Sequence, residues 1–208
     1  TTAYRDAARK ALENLEAHYA NYAWEGTSAD GYADSIEGAI NLHNREPLAT
    51  TARWLDSEMR VMWAKQQPDG IIESWHGDGN FARTSIMYAL WKTQGVHVEP
   101  WRADVRVGAV REGEALYVSV TADKPWSGKL FFDRPRHRDN LKLPLDYPRI
   151  NQFPEWFTAN KGERYRVQVA GNSAPRVSGS KLIAGLPIKL ASAGATEIGV
   201  LPQAAAKP

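Results

Sequence analysis

Val105-Arg106-Val107-Gly108-Ala109-Val110-Arg111-Glu112-Gly113-Glu114-Ala115-Leu116-Tyr117-Val118-Ser119-Val120-Thr121 is the stretch where the chain changes its period. Val105, Val107 and Ala109 recur at every second position, and Leu116, Val118 and Val120 alternate with Tyr117, Ser119 and Thr121. That spacing places one row of apolar side chains on one face of an extended strand. Glu112-Gly113-Glu114 lies between the two runs, where a tight hairpin turn is expected. Upstream of Pro100-Trp101 the apolar residues are spaced by three and four instead. Helices come first and strands second, without interleaving, so a segregated α+β chain is expected rather than a wound α/β sheet.

Downstream, further short strands are expected at 129–132, 165–169, 186–190 and 196–200, separated by turn residues. Such a series suggests an antiparallel β-sandwich over 101–202. Residues 133–160 are rich in Pro, Arg and aromatics and read as a long ordered loop, and 203–208 read as a tail. Arg134, Arg136, His137 and Arg138 could meet an acidic glycan or phosphate, but Asp133, Asp139 and Asp146 dilute their charge. An interdomain clamp is the favoured reading, with Trp126, Tyr147, Phe153, Trp156 and Phe157 pinning the loop onto the sandwich or the helical part.

Upstream, residues 1–100 read as helical hairpins. The first helix is expected over 3–23, with Ala8, Leu12, Leu15, Tyr19 and Tyr22 on one face. Residues 24–31 read as a loop, and a second helix as running from Tyr32 to Asn44. The third begins near Leu48 and is stopped by Pro68-Asp69-Gly70. The fourth begins after Asn80 and runs to Gly95. Helices three and four look apolar almost all round, so they need cover on more than one side.

Composition narrows the function classes. The 208 residues carry 26 basic and 24 acidic side chains, a net charge of +2 that argues against nucleic acid as partner. No apolar run is long enough to span a bilayer, so no membrane partner is expected. Without cysteine there is no disulfide and no thiolate chemistry. Eight tryptophans can serve as core anchors or as sugar-stacking platforms.

Chemistry-bearing residues concentrate in Asp69-Gly70-Ile71-Ile72-Glu73-Ser74-Trp75-His76-Gly77-Asp78-Gly79-Asn80-Phe81-Ala82-Arg83-Thr84. Three glycines mark backbone that turns tightly, and loops on a rigid scaffold are where binding and catalysis gather. A carboxyl pair such as Glu73 and Asp78 can divide into proton donor and base or nucleophile in sugar chemistry. His76 can abstract a proton next to a uronate carboxylate that Arg83 neutralises, and Trp75 can stack on a pyranose face. The bland account is that Asp78 or Asn80 caps the fourth helix and Glu73 joins a salt bridge.

A second group comprises Asp30, Tyr32, Asp34 and Glu37, whose ordinary role is to place acids in a helix's first turn. Should the two hairpins pack with the same polarity, this group and the loop around His76 would emerge at one end. The spacing of Glu73, His76 and Asp78 matches no helical zinc motif, so no metal and no cofactor is expected. His18, His43 and His97 have no partner motif and read as structural or exposed.

Tyr32-Ala33-Asp34-Ser35-Ile36-Glu37-Gly38-Ala39 and Glu73-Ser74-Trp75-His76-Gly77-Asp78-Gly79-Asn80, set in helical hairpins before a β-sandwich, resemble the C-terminal portion of (α/α)-toroid carbohydrate-active enzymes. These are the six-hairpin glycosidases and toroid polysaccharide lyases. No family-defining motif matches residue by residue, so the resemblance is one of architecture. It implies a polysaccharide or oligosaccharide substrate, with Glu73, His76 and Asp78 catalytic. Tyr32, Asp34, Glu37, Trp75 and Arg83 would bind the substrate. It further implies a secreted or periplasmic bacterial protein. Four helices where such toroids have about a dozen imply a missing N-terminal region, or a second copy, over the helices. The rival is a non-catalytic glycan-binding or assembly module.

Overall fold

The computed structural model describes residues 2–72, 79–142, 156–173 and 176–203. The chain divides into two compact units, one of residues 1–89 with 149–155 and one of residues 90–148 with 156–208. Helices occupy the N-terminal part and antiparallel sheets follow, so the expected segregation holds.

The helical unit contains α1 (Thr2–His18), a short 3-10 turn (Trp24–Thr27), α2 (Ala29–His43), α3 (Ala49–Trp63) and α4 (Gly79–Thr93), the unit boundary falling late in α4. Its polar contacts give the helix directions. Thr51 donates to the Leu12 carbonyl at 3.2 Å, and the Trp54 indole donates to the Tyr19 carbonyl at 3.2 Å. Contacts that advance together along both helices mean that α1 and α3 run parallel. The side chain of Asn80 meets Asp30, and that of Arg83 meets Glu37, so α2 and α4 are parallel too. Tyr88 donates to Asp56 at 2.6 Å and the Trp63 indole to Ser85 at 2.9 Å, which sets α4 antiparallel to α3.

Several helix boundaries differ from the sequence reading, and α3 ends at Trp63, short of the expected stop at Pro68. α1 stops at His18, five residues short of the expected end. Asn21 takes φ 59°, a left-handed conformation that asparagine tolerates better than most residues, and the chain turns there. Tyr19 and Tyr22 therefore leave the helix face and pack on each other and on Trp24, at ring separations of 4.7 to 5.6 Å. α2 begins at Ala29, three residues earlier than expected, because Ser28 caps it by accepting from the Gly31 N–H at 3.1 Å. Gly31 sits inside this first turn because the preceding chain passes over it. A Cβ there would lie 2.9 Å from the Trp24 carbonyl carbon and 2.8 Å from the Glu25 Cβ.

The β unit builds two antiparallel sheets. In the larger, β2 (Val105–Glu112), β3 (Ala115–Ala122), β9 (Gly194–Pro202), β5 (Arg164–Val169) and β6 (Asn172–Ser173) lie in that order, with β7 (Val177–Ser178) on β5. In the smaller, β1 (His97–Glu99), β4 (Trp126–Phe131) and β8 (Leu186–Leu190) are neighbours. The expected hairpin joins β2 to β3, Glu112 pairing with Ala115 and Gly113 at φ 59°. Leu116, Val118 and Val120 point inward with Val98, Leu130 and Ile188 of the other sheet, so both sheets contribute to one apolar cluster. Two short helices, α5 (Arg136–Asp139) and α6 (Gly179–Ile183), were not legible from periodicity because each is barely one turn.

Candidate functional site at one end of the helical unit

Parallel α2 and α4 bring their N-terminal ends together, and there the polar side chains of the unit gather. Arg83 donates from Nε to Glu37 Oε1 at 2.8 Å, and its NH2 lies 3.9 Å from Asp34 Oδ1. Thr84, fully buried, donates to the same Glu37 oxygen at 2.5 Å and lies 3.5 Å from the Ala33 carbonyl. Asn80 donates to Asp30. Of the five sequence-proposed binding residues, the structure therefore joins Asp34, Glu37 and Arg83 in one ionic network. In this arrangement Arg83 is already engaged by carboxylates rather than held in reserve for a substrate carboxylate.

The electrostatics follow the geometry. Hydrogen bonding to Glu37 raises the Arg83 pKa, and the charges of Glu37, Asp34 and Asp30 add to it against the cost of burial. Asp34 is pushed above the ordinary carboxylate range, first by partial burial and then by the like charges of Asp30 and Glu37, with Arg83 opposing.

Tyr32 lies deeper, 4% exposed, with its hydroxyl donating to the Tyr22 carbonyl at 3.0 Å. Burial raises its pKa, and the nearby Glu58 carboxyl raises it further. The Lys65 ammonium contacts the Thr27 carbonyl and lies 5.1 Å from the centre of the Tyr32 ring. Tyr32 thus braces the 19–28 connection against α2. Glu73, Trp75, His76 and Asp78 lie outside the described residues.

Glu58 was missed by the sequence reading, and it is the most buried acid of the unit at 0% exposed. Its Oε2 accepts the Trp24 indole N–H at 3.2 Å, while Oε1 has no hydrogen-bond partner among the described residues. Burial drives its pKa up, with the Trp24 indole and the Asn21 backbone opposing. The signal was present. Glu58 stands four residues after Trp54 and four before Met62, on the buried stripe of α3, where a carboxyl is out of place unless it is functional or specially held.

The arginine-rich segment resolves as an internal brace of the β unit. Asp133 accepts from Arg136 at 2.8 Å and from the Trp156 indole at 2.9 Å, and Arg138 donates to Asn160 at 2.9 Å. Phe157 is buried in the β cluster, and Trp126 donates to the Pro100 carbonyl at 3.1 Å. Tyr147 and Phe153 lie outside the described residues. Of the histidines, His43 is buried, and its Nδ1 accepts the Leu48 N–H at 3.2 Å. Burial lowers its pKa.

Among the described residues no group of three or more His, Asp or Glu side chains is placed to hold a metal ion. No described helix is long and apolar enough to cross a membrane. Comparison with protein-family models, with curated proteins and with solved structures yields no match.

Proposed function

We propose that the protein is carbohydrate-active, a glycoside hydrolase or polysaccharide lyase of (α/α)-toroid type, working at the end where α2 and α4 begin. The observation that carries this reading is the parallel pairing of α2 and α4, which sets Asp30, Asp34, Glu37 and Arg83 at one end of the helical array. Helix directions that alternate along the chain, with α1 beside α3 and α2 beside α4, are what stacked helical hairpins of a toroid require. Gly79 starts α4 at this same end, directly after the candidate proton-transfer residues Glu73, His76 and Asp78 in the sequence. A proton donor at a glycosidic bond needs a carboxyl pushed above the ordinary range, and Asp34 is shifted upward here. On this reading Trp75 stacks on the sugar, Tyr32 braces α2 from within rather than touching substrate, and Arg83 orders the acids. The protein would work secreted or in the periplasm of a bacterium.

A second reading, a non-catalytic glycan-binding or assembly module, is favoured by two observations. Arg83 is consumed by internal carboxylates, and Ile86 on α4 is 55% exposed, an apolar side chain available to a partner chain or a second copy. One experiment separates the readings. Neutral and uronate-containing polysaccharides are incubated with the protein, and new reducing ends and the ultraviolet absorbance of unsaturated uronate are followed. Turnover that is lost in His76→Ala and Glu73→Gln supports the enzyme, and binding without turnover, unchanged in both variants, supports the module.

A further inference from the structure

The Glu58 carboxyl is wholly removed from water, yet its Oε1 has no hydrogen-bond partner among the described residues. An ionised carboxylate can accept about four hydrogen bonds, and this one receives the Trp24 indole N–H at 3.2 Å on one oxygen, with the Asn21 backbone as the other nearby donor. A charge in such surroundings must either find new donors or admit water. The neutral acid avoids the cost of a buried charge, although its O–H finds no acceptor among the described residues.

The groups that face it come from three elements. From the 19–28 connection come the Trp24 indole and the Asn21 backbone. From α2 comes the Tyr32 phenol, tied to the Tyr22 carbonyl, with the Lys65 ammonium over its ring and on the Thr27 carbonyl. From α3, the Trp54 indole holds the Tyr19 carbonyl and packs edge-on to Trp24 at 6.2 Å. The outer layer of this arrangement is the connection itself, and it is the least settled backbone of the unit. Glu25, Gly26 and Thr27 take φ of 45°, 67° and 75° in succession, and a β-branched residue is strained there. Strained residues of this kind persist only while their surroundings hold them, and they gather at clamps and switches.

We propose that the 19–28 connection is a pH-operated latch, closed through Trp24 on the protonated Glu58 carboxyl and released when that carboxyl ionises. Release lifts the Trp24 indole, lets water reach both carboxylate oxygens and relaxes the three left-handed residues. It also frees the Tyr22 contact of Tyr32, opening α2 beside Asp30 and Asp34. The latch stands whether the unit is an enzyme or a binding module.

The sign follows from proton linkage. Burial raises the closed-state pKa of Glu58, whereas the opened carboxyl returns to the ordinary value. Closure is therefore complete below the ordinary carboxylate range and is lost as pH rises through the raised value. Between the two pKa values the opening constant grows about tenfold per pH unit, then levels off.

The test is indole NMR on the full chain from about pH 4 to about pH 8, with the Trp24 N–H resonance identified by its loss in Trp24→Phe. Water exchange at Trp24 is read as a ratio to that at Trp126, whose indole is held inside the β unit. The expected result is a ratio that climbs about tenfold per pH unit over a window and then flattens, accompanied by a shift of the Trp24 resonance. In Glu58→Gln the ratio is expected to stay flat. A ratio independent of pH in the wild type, or an unchanged titration in Glu58→Gln, overturns the latch. Should Glu58→Gln fail to fold, the Glu58 carboxyl carbon resonance in the wild type decides. A midpoint shared with the Trp24 indole supports the latch, and separate midpoints overturn it.

Discussion

The two units bury their polar groups very differently. In the helical unit Glu37, His43, Glu46, Thr51, Glu58 and Thr84 are all buried, whereas the β unit buries only Gln94 and Thr196 among the described residues. One acid of the β unit, Asp133, is enclosed, its side chain 9% exposed beside Arg136 and the Trp156 indole, while other charges sit outside. Arg106 and Asp123 form a bidentate pair at 2.9 and 3.0 Å, with side chains 63% and 56% exposed. Glu37 and Glu46 are paired with arginines, so among the described residues Glu58 is the buried acid of the helical unit that has no cation on it. On the proposed reading the helical unit is the chemical part and the β unit a packed support.

The largest effect that sharpens this contrast belongs to the β core. Leu130 is fully buried where the two sheets share their cluster, and Leu130→Ala is expected to cost about 3 kcal/mol in denaturant unfolding. Ligand binding at the helical end should survive that loss wherever the chain remains folded. Next comes Arg83→Ala, which leaves Glu37 and Thr84 without their cation. Complete burial would make such a loss about 3–5 kcal/mol, but Arg83 keeps a third of its side chain in solvent, so about 2 kcal/mol is expected. A larger share of that loss should return in the double variant with Glu37→Gln, because no unpaired charge then stays buried.

A smaller effect is the pH response of His43. Its pKa is lowered in the folded chain, so the unfolded chain binds the proton first as pH falls. Stability is therefore full above the ordinary histidine value and declines as pH drops through it. Thermal unfolding of the wild type should show that decline, and His43→Gln should not. At the far end of the scale, Arg106→Ala is expected to leave the unfolding midpoint of the β unit unmoved, since its pair with Asp123 is open to water and salt. A clear loss there would break the contrast between the units.

Much of the fold was legible because period is a strong signal. The alternation of Val105 to Thr121 located the first two strands of the larger sheet, and the Gly113 turn fixed their pairing. What failed to show was short or depended on partners distant in sequence. β1, over His97–Glu99, is three residues long and owes its existence to pairing with β4, which no local pattern reveals. The early start of α2 depended on Ser28, since Asp30-Gly31 reads as a turn until the Trp24 chain is seen lying across Gly31. At the site, the acids Asp30, Asp34 and Glu37 of α2 were visible as a group, but the closure of Glu37 by Arg83 and Thr84 needed α4 in place. Glu58 was readable as a carboxyl on an apolar stripe, a conflict between local pattern and burial of the kind that marks functional sites.

The account stands or falls on whether the polar end of the helical unit meets a carbohydrate. The direct measurement is an amide NMR titration of the full chain with soluble oligosaccharides of neutral and uronate classes, mapping which residues move. Shifts confined to the beginnings of α2 and α4, centred on Asp30, Asp34, Glu37 and Arg83, are the predicted result. Shifts confined to the β sheets, or none with either class, would contradict it.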